Sequence, residues 1–276
     1  TARRTREQGE SGVWARRVGD SGTAPRPGEQ GESGVWARRV GDLSTRDTGR
    51  AEPDLDAARA HIPALCGRDP DALDAAGMAR AGTESMAENT SDATVAPLLW
   101  GAVAGIPGLL GYRAINTLDA MVGYRSRRYA RFGWPAARLD DLVNLVPSRT
   151  TALLQVLLAP AVGGSPSAAI AAWRRDASKH PSPNAGPVEA AAAGALGVAL
   201  GGPTVYRHGI ENRPRLGSGR SPTPADLRRA ARLSQLVSAV AALLAGAVAY
   251  LTPDQLASGR SSSSPDSSRR NAARST

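Results

Sequence analysis

The sequence predicts an all-α, polytopic helical membrane protein flanked by low-complexity tails. Three observations lead there. Residues 94–112 (TVAPLLWGAVAGIPGLLGY) run for nineteen residues without a charge, a length that can cross a bilayer. Residues 236–251 (LVSAVAALLAGAVAYL) form the cleanest apolar helix, with Tyr250 at one end and arginines before the other. Shorter apolar runs lie between them, separated by basic loops. The mean hydropathy of -0.28 conceals this pattern because the polar ends lower the average.

In chain order, residues 1–50 do not read as a fold. The segment 7–20 (EQGESGVWARRVGD) recurs unchanged at 29–42, and its Gly/Arg/Glu composition predicts disorder. Two identical copies are too few for a solenoid, which stacks several units. Trp14 and Trp36 are the only candidate anchors there, and the chain does not begin with Met, which suggests a fragment or a misplaced start. Residues 56–65 predict a short helix ended near Pro63. Asp69-Pro70 is a good start for a helix running towards Glu88, with proline and acid in its first turn. Residues 94–112 follow, bent by Pro97 and Pro107, with a buried core helix as the competing reading. Residues 113–149 form a polar connection containing Asn116, Asp119, Tyr124, Asp140, Asp141 and Asn144. Residues 151–162 are apolar but short, as in a re-entrant or core segment. Residues 190–202 are small and suited to close helix packing. Residues 222–227 (PTPADL) start a separate helix before the one at 236–251. Residues 252–276 are a Ser/Arg-rich tail of disordered composition, leaving a membrane domain over 51–251.

The chain is centred on residues 174–189 (RRDASKHPSPNAGPVE). This stretch holds the only lysine, Lys179, with His180, two prolines around Ser182, and Asn184 before Gly186. The proline and glycine predict a bent, ordered loop, which places polar groups at the mouth of an apolar segment.

Net charge of +9 raises nucleic acid or an anionic membrane surface as partners. Nucleic acid is set aside because the arginines are scattered without a recognition motif and only one phenylalanine is present. The single cysteine, Cys66, excludes an intramolecular disulfide and a cysteine metal cluster. A phosphate-binding Walker loop, a dinucleotide fingerprint, a His-Glu-x-x-His zinc pair and a nucleophile elbow are all absent. Polar clusters remain. Glu84, Glu88, Asn89 and Asp92 suit magnesium or a general base, or else a solvated helix end. Asn116 with Asp119 reads as a capping turn or a substrate contact. Asp140, Asp141 and Asn144 suit a metal or a salt-bridged helix start. Lys179, His180, Ser182, Asn184 and Glu189 form the densest group.

Blocks at 87–105 (AENTSDATVAPLLWGAVAG), 111–126 (GYRAINTLDAMVGYRS), 131–149 (RFGWPAARLDDLVNLVPSR), 174–191 (RRDASKHPSPNAGPVEAA) and 200–217 (LGGPTVYRHGIENRPRLG) strongly resemble the adenosylcobinamide-phosphate synthase family (CobD/CbiB). The resemblance extends over about 55–251. It implies an integral membrane enzyme of cobalamin biosynthesis, multi-pass in a bacterial cell membrane. Such an enzyme joins aminopropanol or its phosphate to the terminal carboxylate of adenosylcobyric acid. The product is adenosylcobinamide or its phosphate, and other late membrane enzymes of the pathway are possible partners. It also implies an apolar N-terminal region with Asp-Pro and His-Pro elements. The duplicated tail stands in that place, so a shortened member is expected.

An amide cannot form from a free carboxylate and an amine at neutral pH without activation, so ATP and magnesium are expected. Residue chemistry then nominates Lys179, Arg174 and Arg175 for phosphate, and Glu84, Glu88, Asp92, Asp119 and Asp140 for magnesium. His180 or Glu189 is nominated to deprotonate the amine, with Lys179 as a third catalytic candidate. Asn116, Asp119, Arg174, Arg175, Ser182 and Asn184 are the substrate-binding candidates. Two other classes compete: a non-catalytic scaffold or corrinoid-binding remnant of the same fold, and a transporter.

Overall fold

The computed structural model describes residues 54–123, 133–206 and 209–251. The duplicated stretch 1–50 with Trp14 and Trp36, Tyr124, and the Ser/Arg-rich end 252–276 lie outside the described residues. Helix α1 (Leu55–Leu65) starts at Asp54, whose carboxylate accepts the N–H groups of Asp56 and Ala57. Pro63 sits inside its last turn and does not end it. Asp69 caps only a short 3-10 turn, Pro70–Ala72. The long helix expected from Pro70 starts later, as α2 (Ala75–Asn89), because Asp74 offers a second cap and accepts from Gly77 N–H at 2.7 Å.

α2 passes through a π-helical turn, Thr90–Val95, into α3 (Ala96–Leu118), and a second π turn, Asp119–Gly123, follows. This run is not one rod. Gly105 takes φ 63° and ψ -155°, and Pro107 follows it. A Cβ on Gly108 would stand 2.4 Å from the Trp100 carbonyl oxygen; along a straight helix those residues are about 12 Å apart. The chain therefore reverses at 105–107. Residues 94–112, expected to cross as one bent helix, instead form the two limbs of a helical hairpin. Glycine supplies the positive φ and Pro107 removes the donor that would continue the helix.

Next come α4 (Trp134–Val143) and α5 (Leu145–Leu158), the latter tightening into a 3-10 turn, Ala159–Val162. α6 (Pro166–Asp176), capped by Ser165, runs into a 3-10 turn, Ala177–Lys179. α7 (Ala185–Leu196) is the centre of the molecule: every residue from Gly186 to Leu196 is buried. Its small side chains permit close approach, since a Cβ on Gly194 would meet the Ala168 carbonyl of α6 at 2.4 Å. Glu189 is the one charged residue of this helix.

Residues 200–216 depart from the all-helical expectation. They form an antiparallel hairpin of β1 (Leu200–Tyr206) and β2 (Gly209–Leu216), with Gly202 opposite Arg213 and Thr204 opposite Glu211. Gly201 and Gly202 both have positive φ, and Pro203 and Pro214 deny the segment a helical ladder. A bulge between Leu200 and Gly202 re-aims the strand. The final element, α8 (Pro224–Leu251), is a single 28-residue helix where two were expected. No breaker interrupts it, and buried Asp226 anchors its start by accepting from Arg220, Arg229 and Thr223.

Among the described residues, three stretches are long and apolar enough to cross a membrane: Ala75–Val122, Leu145–Val162 and Pro224–Leu251. The α3 hairpin tip exposes Val103, Ile106 and Leu110, and the distal half of α8 exposes Leu243, Leu244 and Leu251. Large apolar side chains standing outward on long helices fit a lipid surround. The fold is thus a helical membrane architecture with one small β-hairpin.

Candidate functional site

The base of the α3 hairpin opens into a cavity of about 270 Å³. One wall is the end of α2 and its π turn, contributing Glu88, Asn89 and Asp92. The returning limb brings Arg113, Asn116 and Asp119; α4 brings Asp140 and Asp141, followed by Asn144; and the 180–185 loop closes the cavity with His180, Ser182 and Asn184. The π turn matters here because its wider winding re-phases the helix at Asp92. Five carboxylates against one arginine make the cavity strongly acidic.

Hydrogen bonds fix this frame. Tyr112 on the returning limb is buried, and its hydroxyl donates to the Asp92 carbonyl at 2.8 Å and lies 3.0 Å from Asn144 Oδ1. Asn116 donates to Asp140 Oδ1 at 3.2 Å. Burial pushes the Asp140 carboxyl up from its ordinary range, against hydrogen bonds from Asn116 and Asn144 that hold it down. Burial also raises Asp141; Arg138 opposes this and Asp140 adds to it. Asn184 latches the loop to its neighbours. Its Oδ1 accepts from Ser148 at 3.1 Å and Arg149 at 2.9 Å, while its amide donates to the Asp141 carbonyl at 2.8 Å. The Ser182 hydroxyl accepts the N–H groups of Asn184 and Ala185, satisfying donors at the start of α7.

Behind the cavity lies a buried charged network. Glu88 and Glu189 are neighbouring carboxyls that act on each other electrostatically, and Glu189 Oε1 is 3.6 Å from His180 Nε2. Arg213 of β2 donates to His180 Nε2 at 3.2 Å and reaches Glu84 Oε2 at 3.7 Å. Glu84 in turn is paired with buried Arg68 and accepts the Gly201 N–H at 2.7 Å. Burial drives Glu189 upward and the Glu84 carboxylate adds to this, while Arg213 pulls it back. Burial lowers His180 and the Arg213 charge lowers it further, so the imidazole is held neutral.

The nominated residues thus divide. Glu88, Asp92, Asn116, Asp119, Asp140, His180, Ser182 and Asn184 converge on the cavity. Glu189 stands one layer behind it, and Glu84 lies further off, in the Arg68 pair. Lys179 and Arg175 are turned to buried Asp176, at 2.7 Å each, and Arg174 is exposed on α6. Asp176 also accepts the Gly217 N–H at 2.9 Å, tying α6 to the end of the β-hairpin. Although burial alone would raise it, hydrogen bonds from Arg175, Lys179 and Gly217 bring its carboxyl down to about 2.

Three contributors went unnominated. Arg113 was legible only as the cation before Asn116 and Asp119. Arg68 and Arg213 carry no local signal, because the fold brings them to Glu84 from 16 residues away and to His180 from 33.

The family model described as CobD/Cbib protein matches residues 41–234. A protein named "Cobalamin biosynthesis protein CobD" from Mycobacterium tuberculosis (strain ATCC 25618 / H37Rv) is 64% identical over 197 residues, 71% of this chain and 63% of that relative. One of the same name from Rhodobacter capsulatus is 51% identical over 199 residues, covering 72% and 62%. Another, from Chromobacterium violaceum, is 48% identical over 205 residues, covering 72% and 64%. The chain therefore spans less than two thirds of the length of these relatives. No solved structure matches it.

Proposed function

The chain belongs to the CobD/CbiB family, and from that premise we propose that it acts in cobalamin biosynthesis as a membrane-bound acid–amine ligase. Its reaction joins aminopropanol or its phosphate to the terminal carboxylate of adenosylcobyric acid. The acidic cavity at the foot of an apolar hairpin carries this reading. Its volume of about 270 Å³ is at the low end for small-molecule sites. It suits an amino alcohol and one carboxylate arm, with the macrocycle left outside. Carboxylates at Glu88, Asp92 and Asp140 attract the ammonium form of the amine.

To attack, that ammonium must lose a proton. Glu88 lines the cavity and neighbours Glu189, which faces His180. In this reading Glu88 takes the proton, and Glu189 and His180 position it and share the charge behind it. The base moves from the nominated His180 or Glu189 to the carboxylate that reaches the ligand space. The amine nitrogen then bonds to the acyl carbon, the activating group leaves that carbon, and the amide results.

Magnesium fits the donor set. Asp119 Oδ1 is buried without a hydrogen-bond partner among the described residues, and Asp92 and Asp140 line the same space. No group of three or more acidic, histidine or cysteine side chains among the described residues is placed to hold a metal by itself. That suits an ion bound by one or two carboxylates and completed by substrate phosphate. Bound there, it would supply charge neutralisation at phosphate oxygens. ATP does not fit the residues nominated for its phosphates, since Lys179 and Arg175 are engaged by Asp176 and Arg174 lies outside the cavity. The steps above therefore concern the amine alone.

The test uses membranes carrying the full chain in a host without its own synthase. They receive adenosylcobyric acid, aminopropanol phosphate, ATP and magnesium, with product read by mass spectrometry. The expected result is adenosylcobinamide phosphate, reduced roughly 100-fold or more by Glu88→Gln. An inserted, folded chain that gives no product would overturn the reading. Corrinoid binding without turnover would favour the scaffold instead.

A further inference from the structure

Arg113 stands out among the cavity-lining groups. It projects from the returning limb of the α3 hairpin into a space bordered by Glu88, Asp92, Asp119, Asp140 and Asp141. Its guanidinium makes no hydrogen bond or ion pair with any of them, nor with another described residue. An arginine beside five carboxylates ordinarily takes one as a bidentate partner. Here Asp140 is occupied by Asn116, and Asp141 lies 3.9 Å from Arg138. The cavity thus has an acid-rich floor and a cation that those acids leave open.

We propose that Arg113 is a specificity-determining residue that pairs with a phosphate carried by the amine substrate; this rests on the ligation reading above. A phosphate monoester carries nearly two negative charges at neutral pH and would be repelled by an acidic cavity without a counter-charge. A zwitterion with ammonium at one end and phosphate at the other matches the layout. Its ammonium lies towards Glu88 and Asp92, and its phosphate accepts the two N–H groups of the Arg113 fork. Tyr112 holds the limb in place by bonding to the Asp92 carbonyl, so Arg113 is presented from a fixed wall. A free amino alcohol lacks the group that would use this cation.

The ligation assay is run with aminopropanol phosphate and with aminopropanol, comparing kcat/KM. The wild-type chain prefers the phosphorylated amine. Arg113→Gln lowers that preference roughly ten- to hundredfold, mostly through KM, and Arg113→Lys restores part of it. A preference that Arg113→Gln leaves unchanged, or an equal fall for both amines, overturns the assignment while ligation itself stands. Should the wild-type chain ligate neither amine, the ligation reading fails. Calorimetric binding of aminopropanol phosphate to wild-type and Arg113→Gln protein in detergent then decides the pairing by itself. Weaker binding by the variant supports it and equal binding refutes it. Arg113 is exposed, so the variant is expected to fold, and its melting curve is recorded alongside.

Discussion

Lys179 provides a direct test of position against composition. It is the only lysine of the chain, lies in the densest polar stretch, and was nominated for phosphate and catalysis. Structurally it is half exposed and bonded to Asp176, a carboxylate that is 2% exposed. Removing Asp176 as Asp176→Ala orphans the buried Gly217 N–H, a loss of about 1–3 kcal/mol. It also breaks the ion pairs to Arg175 and Lys179, the latter contributing about 0.2–1 kcal/mol. The sum is roughly 1–4 kcal/mol, which for a domain of this size lowers Tm by roughly 2–16 °C. Asp176→Asn keeps an acceptor for Gly217 and should lose about half as much. Lys179→Met forfeits only one exposed pair, about 0.2–1 kcal/mol.

The assay pairs thermal unfolding of the purified full chain in detergent with the ligation rate. Lys179→Met is expected to keep its rate within about threefold, whereas a lysine stabilising a transferring phosphoryl group would cost on the order of 100–1,000-fold. A Lys179→Met protein with unchanged Tm and a hundredfold slower rate would refute the structural assignment. Acid supplies an independent check. The folded Asp176 carboxyl is held at about 2, below its ordinary 3.9. Its contribution is therefore full above about pH 4 and lost as pH falls from there towards 2. Asp176→Asn should flatten that part of the stability curve.

Two further outcomes are expected. Gly108→Val places a side chain against the Trp100 carbonyl and Ala104, 2.4 and 2.6 Å from where its Cβ would lie. It should open the α3 hairpin, seen as faster protease cleavage near residues 105–107 in intact membranes; unchanged cleavage would contradict the reversal. Arg213→Met removes the cation that holds both His180 and Glu189 down. Protons then bind the network more readily, so the acid limb of the kcat/KM profile should move to higher pH. A stationary limb would detach Arg213 from the reaction.

What the sequence revealed followed the range of each signal. Hydropathy and capping are local, so helices were legible from residues 55 to 251, and so were the acids and the 180–184 loop that meet in the cavity. Features that depend on chain reversal were not. Nineteen uncharged residues satisfy the length rule for a span whether or not Gly105 turns them back. Only the positive φ at Gly105, beside Pro107, separates a crossing from a hairpin, and the sequence marks Pro107 as a bend while giving no sign of the glycine's conformation. The β-hairpin was missed for a related reason: its glycines and prolines announce a break in helix without saying what replaces it. That omission concealed Arg213, because a strand residue 33 positions from His180 has no spacing rule to reveal it. Lys179 erred in the opposite direction. A lone lysine among polar residues resembles a reagent until a buried aspartate three residues away claims it. Side chains whose partners lie within a helical turn can be assigned from sequence as satisfied or free only when the partner's burial is also known, and burial is set by α7 and the β-hairpin packing over Asp176. Residue type therefore nominated the chemistry, while the burial created by distant elements decided which nominees face the cavity.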